Sequence, residues 1–426
     1  MVLRRRPNEL LLLLLVCCFL GVALYSLQQS LPEARNHAMS LAAGFCLSFL
    51  VGHFALCVLS PECDEVLLPL VALLSAVGLV FALRLGPASA SLAEKQLIWL
   101  ALGLLLMLAT VRAMNRYAVL RQYQYLAAFA GIGLMAVTAL IGKEINGSRL
   151  WLGFGGFYFQ VTEAMKLLLV IFLAGYLADR RYMLAAVSAR WRAFRVPTLP
   201  YLLPLAVIWA FTLALMAWQH DLGAMLLLMS VTLLLLYVAS GRWAFVVAGL
   251  LIVAVNLWVA YHAFGYVHSR IDLWLHPLSS ANGTSQIAES IYAFASGGVL
   301  GTGLGHGSPL HIPVVQTDFV FAAIGEELGS AGAMALIACY LVLAFRGLRI
   351  GMRQPADFGM LLAVGATAIL AIQAIVIAAG DLALIPITGI TLPFVSYGGS
   401  SIVVNFVLLG LLLRLSTSRP LERPAG

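Results

Sequence analysis

Three observations predict an all-α, polytopic membrane protein of about twelve transmembrane helices. Hydrophobic residues make up 62% of the chain and charged residues only 10%, against about a quarter charged in a soluble domain. Apolar runs of spanning length recur throughout. The cations sit in short clusters between those runs, in alternate loops.

The runs lie near 10–28, 38–58, 66–85, 97–112, 124–141, 164–178, 200–217, 221–239, 243–264, 322–345, 359–380 and 401–415. No period-two alternation marks strands. Arg4 to Arg6 precede the first run like the start of a signal peptide, but the run is long and no small-residue cleavage site closes it, so a retained span is expected. Placing the N-terminus in the cytoplasm puts Arg4–Arg6, Arg112, Arg116, Arg121, Arg180, Arg181, Arg190, Arg192, Arg195, Arg242, Arg346, Arg349, Arg353, Arg414, Arg419 and Arg423 inside. Arg35, Lys95, Lys143, Arg149 and Arg270 fall outside, with Arg84 and Lys166 near or within spans. This bias favours cytoplasmic termini. The acidic turn 61–65, with Glu62, Asp64 and Glu65, is the one inner segment without a cation of its own.

The net charge of +7 is no sign of nucleic-acid binding, because no basic helix or aromatic-interleaved stripe carries it. Cys17, Cys18, Cys46, Cys57, Cys63 and Cys339 lie in or beside apolar runs with no CxxC spacing, so they read as small core residues. His306 and His311 lack a metal-ligand spacing. Neither a Gx4GK[ST] nor a GxSxG motif occurs, which argues against an ATPase or an ordinary serine hydrolase.

Charges within apolar runs are costly and mark candidate sites. Glu163 and Lys166 stand three apart on one helical face and can neutralise each other. Asp221 begins a helix, where it either caps the N-terminus or serves a site. Asp318 and the adjacent Glu326 and Glu327 cannot all face lipid, so at least one of the pair must meet a polar cavity or a neighbouring loop. Three outer segments are candidates for chemistry: 142–160, 265–317 and 381–400. The second is far longer than an ordinary connection. It carries Arg270, Asp272, His276 and Glu289, then Gly297, Gly298, Gly301, Gly303 and Gly305. Such glycines allow close backbone approach to phosphate, or simply a re-entrant turn.

Two long runs resemble the SEDS family, the RodA/FtsW-type proteins of shape, elongation, division and sporulation. They are 312–329 (Ile-Pro-Val-Val-Gln-Thr-Asp-Phe-Val-Phe-Ala-Ala-Ile-Gly-Glu-Glu-Leu-Gly) and 386–401 (Pro-Ile-Thr-Gly-Ile-Thr-Leu-Pro-Phe-Val-Ser-Tyr-Gly-Gly-Ser-Ser). Asn146 to Arg149 leading to Glu163 and Lys166, Asp221 to Gly223, and Ser296 to Gly298 agree with it. The resemblance covers roughly 95–415, leaving 1–94 as helices outside or at the edge of the family core and 416–426 as a tail. It implies a multi-pass protein of the bacterial plasma membrane that polymerises lipid II on the outer face, with a class B penicillin-binding protein as partner. Lys166, Glu163, Arg149, Asp318, Glu326, Gly297 and Gly298 would then bind substrate. No motif requires a cofactor, and a divalent cation stays open as an aid.

The family loop reads approximately Asp-Pro-x-x-Asp, its second Asp assisting the attacking sugar hydroxyl. Here 276–280 reads His-Pro-Leu-Ser-Ser, so Ser280 holds that position, and a serine hydroxyl is no carboxylate base at neutral pH. Glu289 and Asp272 are the two carboxylates left in the loop, and His276 is a further base. Three readings follow: a glycosyltransferase in which Glu289 or Asp272 substitutes, a non-catalytic lipid II-binding scaffold for a penicillin-binding protein, and a lipid II flippase.

Overall fold

The computed structural model describes residues 6–32, 35–86, 91–145, 148–154, 157–186, 189–191, 194–196, 199–278 and 285–417. Its helices are α1 (Pro7–Ser30), α2 (Arg35–Leu59), α3 (Leu67–Leu85), α4 (Ser91–Ala113), α5 (Gln124–Ile141), α6 (Val161–Ala186), α7 (Leu199–Trp218), α8 (Leu222–Ser240), α9 (Trp243–Ala263), α10 (Gly265–Leu275), α11 (Gln286–Gly297), α12 (Val320–Glu327), α13 (Gly329–Met352), α14 (Asp357–Asp381) and α15 (Gly399–Ser416). Among the described residues ten stretches are long and apolar enough to cross a membrane. One of them, Ser91–Ile141, contains both α4 and α5, joined by a 3₁₀ segment, and α7 adds a shorter apolar helix. The chain is an all-α integral membrane protein.

Two expectations need correction. The run 322–345 is not one helix: α12 ends at Glu327 and α13 starts at Gly329, whose φ of +70° breaks the helical path. A Cβ at Gly329 would lie 2.3 Å from the Val299 carbonyl oxygen, so the break is fixed by close backbone approach. The outer segment 142–160 forms a three-stranded antiparallel sheet, β1 (Lys143–Ile145), β2 (Ser148–Phe154) and β3 (Phe157–Gln160). β1 and β3 are three and four residues long, and the seven residues of β2 do not alternate apolar with polar, so the sequence shows no strand pattern. A second hairpin pairs β4 (Ala189–Trp191) with β5 (Phe194–Val196).

The chain divides into two compact units. The first holds Met1–Asn115, Ser269–Arg346 and Gln373–Thr417. Lipid tails are as apolar as leucine, so helices here associate by close packing rather than by escape from water. Small residues provide it. On α15, Gly399 abuts the indole of Trp99 and Gly410 the backbone of Met107, and on α4 Gly103 abuts the ring of Phe406. α3 is buried along nearly its whole length, with Gly78 against the carbonyl of Val395. In the second unit (Arg116–His268, Gly347–Ile372 and Ser418–Gly426), α6 and the first part of α14 are largely buried, and Gly131 of α5 meets Met165. α9 exposes almost all of its surface, as an apolar helix facing lipid does.

The acidic turn 61–65 finds its cations from a distance. Arg6 donates to the carbonyls of Ser60 and Asp64, each at 3.0 Å, and Arg346 Nε lies 3.5 Å from Asp64 Oδ2. Arg6 also reaches Cys63 Sγ and the carboxylate of Glu9, whose other oxygen lies 2.7 Å from His53 Nδ1. Arg6, Glu9 and His53 are fully buried, so each needs its partners. The cysteines are all free: Cys57 and Cys63 are buried as expected, whereas Cys18 is exposed. Glu9→Ala strands Arg6 and His53 together and is expected to cost about 3–5 kcal/mol, read as a lowered melting temperature of the detergent-solubilised chain. An unchanged melt would show that the network does not hold α1 in place.

Candidate functional site

In the first unit the two long motif runs build one structure. Ser396 Oγ donates to the Thr317 carbonyl at 2.6 Å and Tyr397 N to the Gln316 carbonyl at 2.9 Å, stitching 381–400 onto 312–318. α10 lies on the same segment: Trp274 Nε1 donates to the Ala383 carbonyl at 2.8 Å, and Arg270 Nη1 to the Ile387 carbonyl at 3.5 Å. Ser285 caps α11, accepting from Ala288 N at 3.1 Å and donating to the Pro277 carbonyl at 2.8 Å. Ser290 then anchors α11 by donating to the Asp381 carbonyl at 2.6 Å. Asp381 Oδ2 accepts from Ala322 N at 3.2 Å.

These contacts bring Arg270, Asp318, Asp381 and Ser290 to one place. Asp318 is half-buried. Burial pushes its carboxyl above the ordinary range, outweighing the hydrogen bond from Thr317 and the charge of Arg270. Glu289, next to Ser290, is half-buried in the first turn of α11, where the helix dipole favours a negative charge. It has no ion-pair partner among the described residues: Lys143 bonds Tyr158 OH at 2.7 Å, and Arg270 lies beside Asp318. Asp272 is half-buried on α10, one turn before the exposed His276. Ser280 lies outside the described residues.

Glu326 and Glu327 both turn to the glycine-rich loop. Glu326 Oε1 accepts from Ser308 N at 2.7 Å. Glu327 Oε2 accepts from Gly305 N at 2.9 Å, and its Oε1 lies 2.7 Å from Arg84 Nε. Arg84 Nη2 completes the clamp on the Gly307 carbonyl at 2.8 Å. The expected close approach of backbone at the glycines occurs, with protein carboxylates and backbone as the partners. A Cβ at Gly297 would lie 2.1 Å from the Gly325 carbonyl, while Gly298 follows with φ +55° at the end of α11.

The second unit holds a separate polar cluster. Lys166 Nζ lies 2.5 Å from Glu163 Oε2, both buried. Asp221 is the N-cap of α8, accepting from Ala224 N at 3.1 Å, and also bonds Thr162. Desolvation pushes its carboxyl up, with Glu163 adding to the rise and Lys166 opposing it. Arg149 is exposed and pairs with Glu144 across the β1–β2 hairpin at 3.2 Å, a contact worth little in water. Among the described residues no three His, Cys, Asp or Glu side chains converge as metal ligands.

The family described as cell cycle protein, FtsW/RodA/SpoVE, matches residues 62–420. The chain belongs to the FtsW/RodA/SpoVE family. That match takes in α3, leaving α1 and α2 before it. The peptidoglycan glycosyltransferase RodA of Mycobacterium tuberculosis is 36% identical over 432 residues, covering 98% of this chain and 92% of the relative. A probable peptidoglycan glycosyltransferase FtsW of Trichlorobacter lovleyi is 32% identical, covering 86% and 96%. Among solved structures, a chain of a peptidoglycan synthase complex is similar with a TM-score of 0.69 at 29% identity, covering 83% of this chain and 97% of that one. RodA of Thermus thermophilus is similar with a TM-score of 0.61 at 27% identity, covering 84% and 98%.

Sequence reasoning passed over Asp381 and the role of Arg84. A lone acid ending an apolar run was the available signal for Asp381, the same one that marks Asp318. Arg84 has its partner 243 residues away, beyond any local pattern. Because the folded Asp318 carboxyl holds its proton more tightly than the unfolded chain does, stability falls as pH rises from the ordinary value, about 4, through the raised one. Asp318→Asn removes that loss. Its melting temperature relative to wild type is expected to rise across this window, and a pH-independent difference would refute the assignment.

Proposed function

We infer that this chain polymerises lipid II into glycan strands at the outer membrane face, for cell shape or division. The near full-length match to named peptidoglycan glycosyltransferases carries the reading. In the reaction the 4-hydroxyl of the acceptor sugar attacks the anomeric carbon of the growing chain. The C–O bond to undecaprenyl pyrophosphate breaks, and the hydroxyl proton passes to a carboxylate. Glu289 takes that proton: it lies in the long loop, half-buried and without an ion-pair partner among the described residues. Asp272 is the second carboxylate of the same loop. Arg270 supplies positive charge for the departing pyrophosphate, and electrostatic stabilisation of that kind is commonly the largest single contribution to rate. The family resemblance assigns Lys166, Glu163 and Arg149 to substrate binding as well, and Gly297, Gly298 and Glu326 hold the long loop in its binding shape.

A class B penicillin-binding protein is the proposed partner, supported by the similar chain in a complex that coordinates polymerization and crosslinking. Both termini are assigned to the cytoplasm on the basic-residue bias. The replacement of the loop aspartate by Ser280 favours one other reading, a lipid II-binding scaffold without catalysis.

Purified chain with its transpeptidase partner and labelled lipid II decides between them. Glycan product is expected from wild type, and Glu289→Gln is expected to lower its rate by about 10²–10⁴-fold. Ser280→Asp is expected to raise it. No product from wild type, under conditions in which a related polymerase works, would favour the scaffold. Full activity in Glu289→Gln would move the proton acceptor to Asp272 or Asp318.

A further inference from the structure

The α5–α7 face of the second unit carries a groove that glycosyl transfer leaves unused. It encloses about 450 Å³, walled by Tyr125, Phe129 and Ile132 of α5 and by Leu203, Val207 and Phe211 of α7. Phe129 and Phe211 are 66% and 60% exposed, so the groove opens to the surroundings of the helices, which for two spanning helices is hydrocarbon.

One end of the groove is polar. Arg180 Nη2 donates to Tyr125 OH at 3.2 Å, and the guanidinium lies 4.0 Å from the centroid of the Tyr176 ring. Both contacts fix the guanidinium, and neither neutralises it. The neighbouring acid, Asp179, is taken by Arg121 at 2.5 Å and by Gln124 at 2.7 Å. Among the described residues no carboxylate lies within ion-pairing distance of Arg180. Arg116 and Arg121 stand exposed on the 3₁₀ segment that leads into α5. An apolar slot with a fixed, uncompensated guanidinium at its mouth matches an acyl chain joined to a phosphate.

We propose that this groove is a binding site for an anionic phospholipid, with one acyl chain between α5 and α7 and the phosphate on Arg180. The slot supplies nothing for a free phosphate ion. A zwitterionic lipid fills it equally well but gains less from the cations, each of which favours an anionic headgroup by about fivefold near the membrane surface.

Native mass spectrometry of the full chain tests this, with phosphatidylglycerol and phosphatidylcholine of identical acyl chains as competing probes. Wild type is expected to retain phosphatidylglycerol about five- to tenfold better. Arg180→Gln is expected to lower the preference about fivefold while still binding both lipids, and Arg180→Lys to keep most of it. Tyr125→Phe leaves the groove wall intact but removes the oxygen that holds the guanidinium, so it should weaken the preference without changing charge. Val207→Trp fills the groove and should lower retention of both lipids. An unchanged preference in Arg180→Gln, or unchanged retention in Val207→Trp, would overturn the proposal.

Discussion

The loop structure of the first unit depends on Glu327. This fully buried carboxylate holds Arg84 on one oxygen and the amide of Gly305 on the other. A carboxylate taken from water without such partners costs several kcal/mol or neutralises. Glu327 therefore organises its surroundings, drawing Arg84 from α3 and the glycine loop of the segment 265–317 onto the end of α12. Glu326 extends the same clamp to Ser308. The glycines follow from it: at Gly301 a Cβ would lie 2.2 Å from the Glu327 carbonyl oxygen, and at Gly307 2.9 Å from its side chain. The glycine-rich stretch is a backbone packed on backbone, with carboxylates where a phosphate was the other reading.

A related constraint shapes the second unit with a different solution. Glu163 and Asp221 are both buried near a single cation, Lys166. Asp221 meets part of its need locally by capping α8, because the first amides of any helix lack partners. Lys166 is thereby left to pair with Glu163, three residues away on the same face. Of the two readings of Asp221 in the sequence, the helix cap is the one that this geometry carries.

How far the sequence shows all this depends on the range of each interaction. Hydropathy is local and strong, so the twelve apolar runs are legible, and α5, α8 and α9 fall within a few residues of their expected ends. The break at Gly329 is not legible, because it depends on Val299 thirty residues earlier. The sheet at 143–160 escaped for a local reason: β1 and β3 have three and four residues, and the seven residues of β2, Ser-Arg-Leu-Trp-Leu-Gly-Phe, do not alternate. Individual candidates were legible by cost: Glu163, Lys166, Asp221, Asp318, Glu326 and Glu327 stood out as charges in apolar surroundings. Their partners were not, apart from the Glu163–Lys166 pair, because Arg84, Ser308 and Thr162 come from other elements. Arg6 on the acidic turn 61–65 is a further case, fixed by packing of α1 that no local pattern encodes.

The partner assignments also narrow the chemistry. A carboxylate that accepts a sugar hydroxyl proton needs a free lone pair and a path to substrate. Glu327 has both oxygens engaged and is fully buried, and Glu326 is buried on Ser308. Asp381 is buried and turned to the amide of Ala322. The conspicuous acids of the motif 312–329 are thus largely consumed by folding, leaving Asp318, whose raised carboxyl sits beside Arg270. In the long loop Glu289 and Asp272 stay half-buried. Ser290 ties Glu289 to the Asp381 end of that group through a 2.6 Å bond one residue away. A chain with Ser280 at the family's loop aspartate therefore still presents Asp318 beside Arg270 and, on α10 and α11, Asp272 and Glu289, and Glu289 is the acid with no ion-pair partner among the described residues.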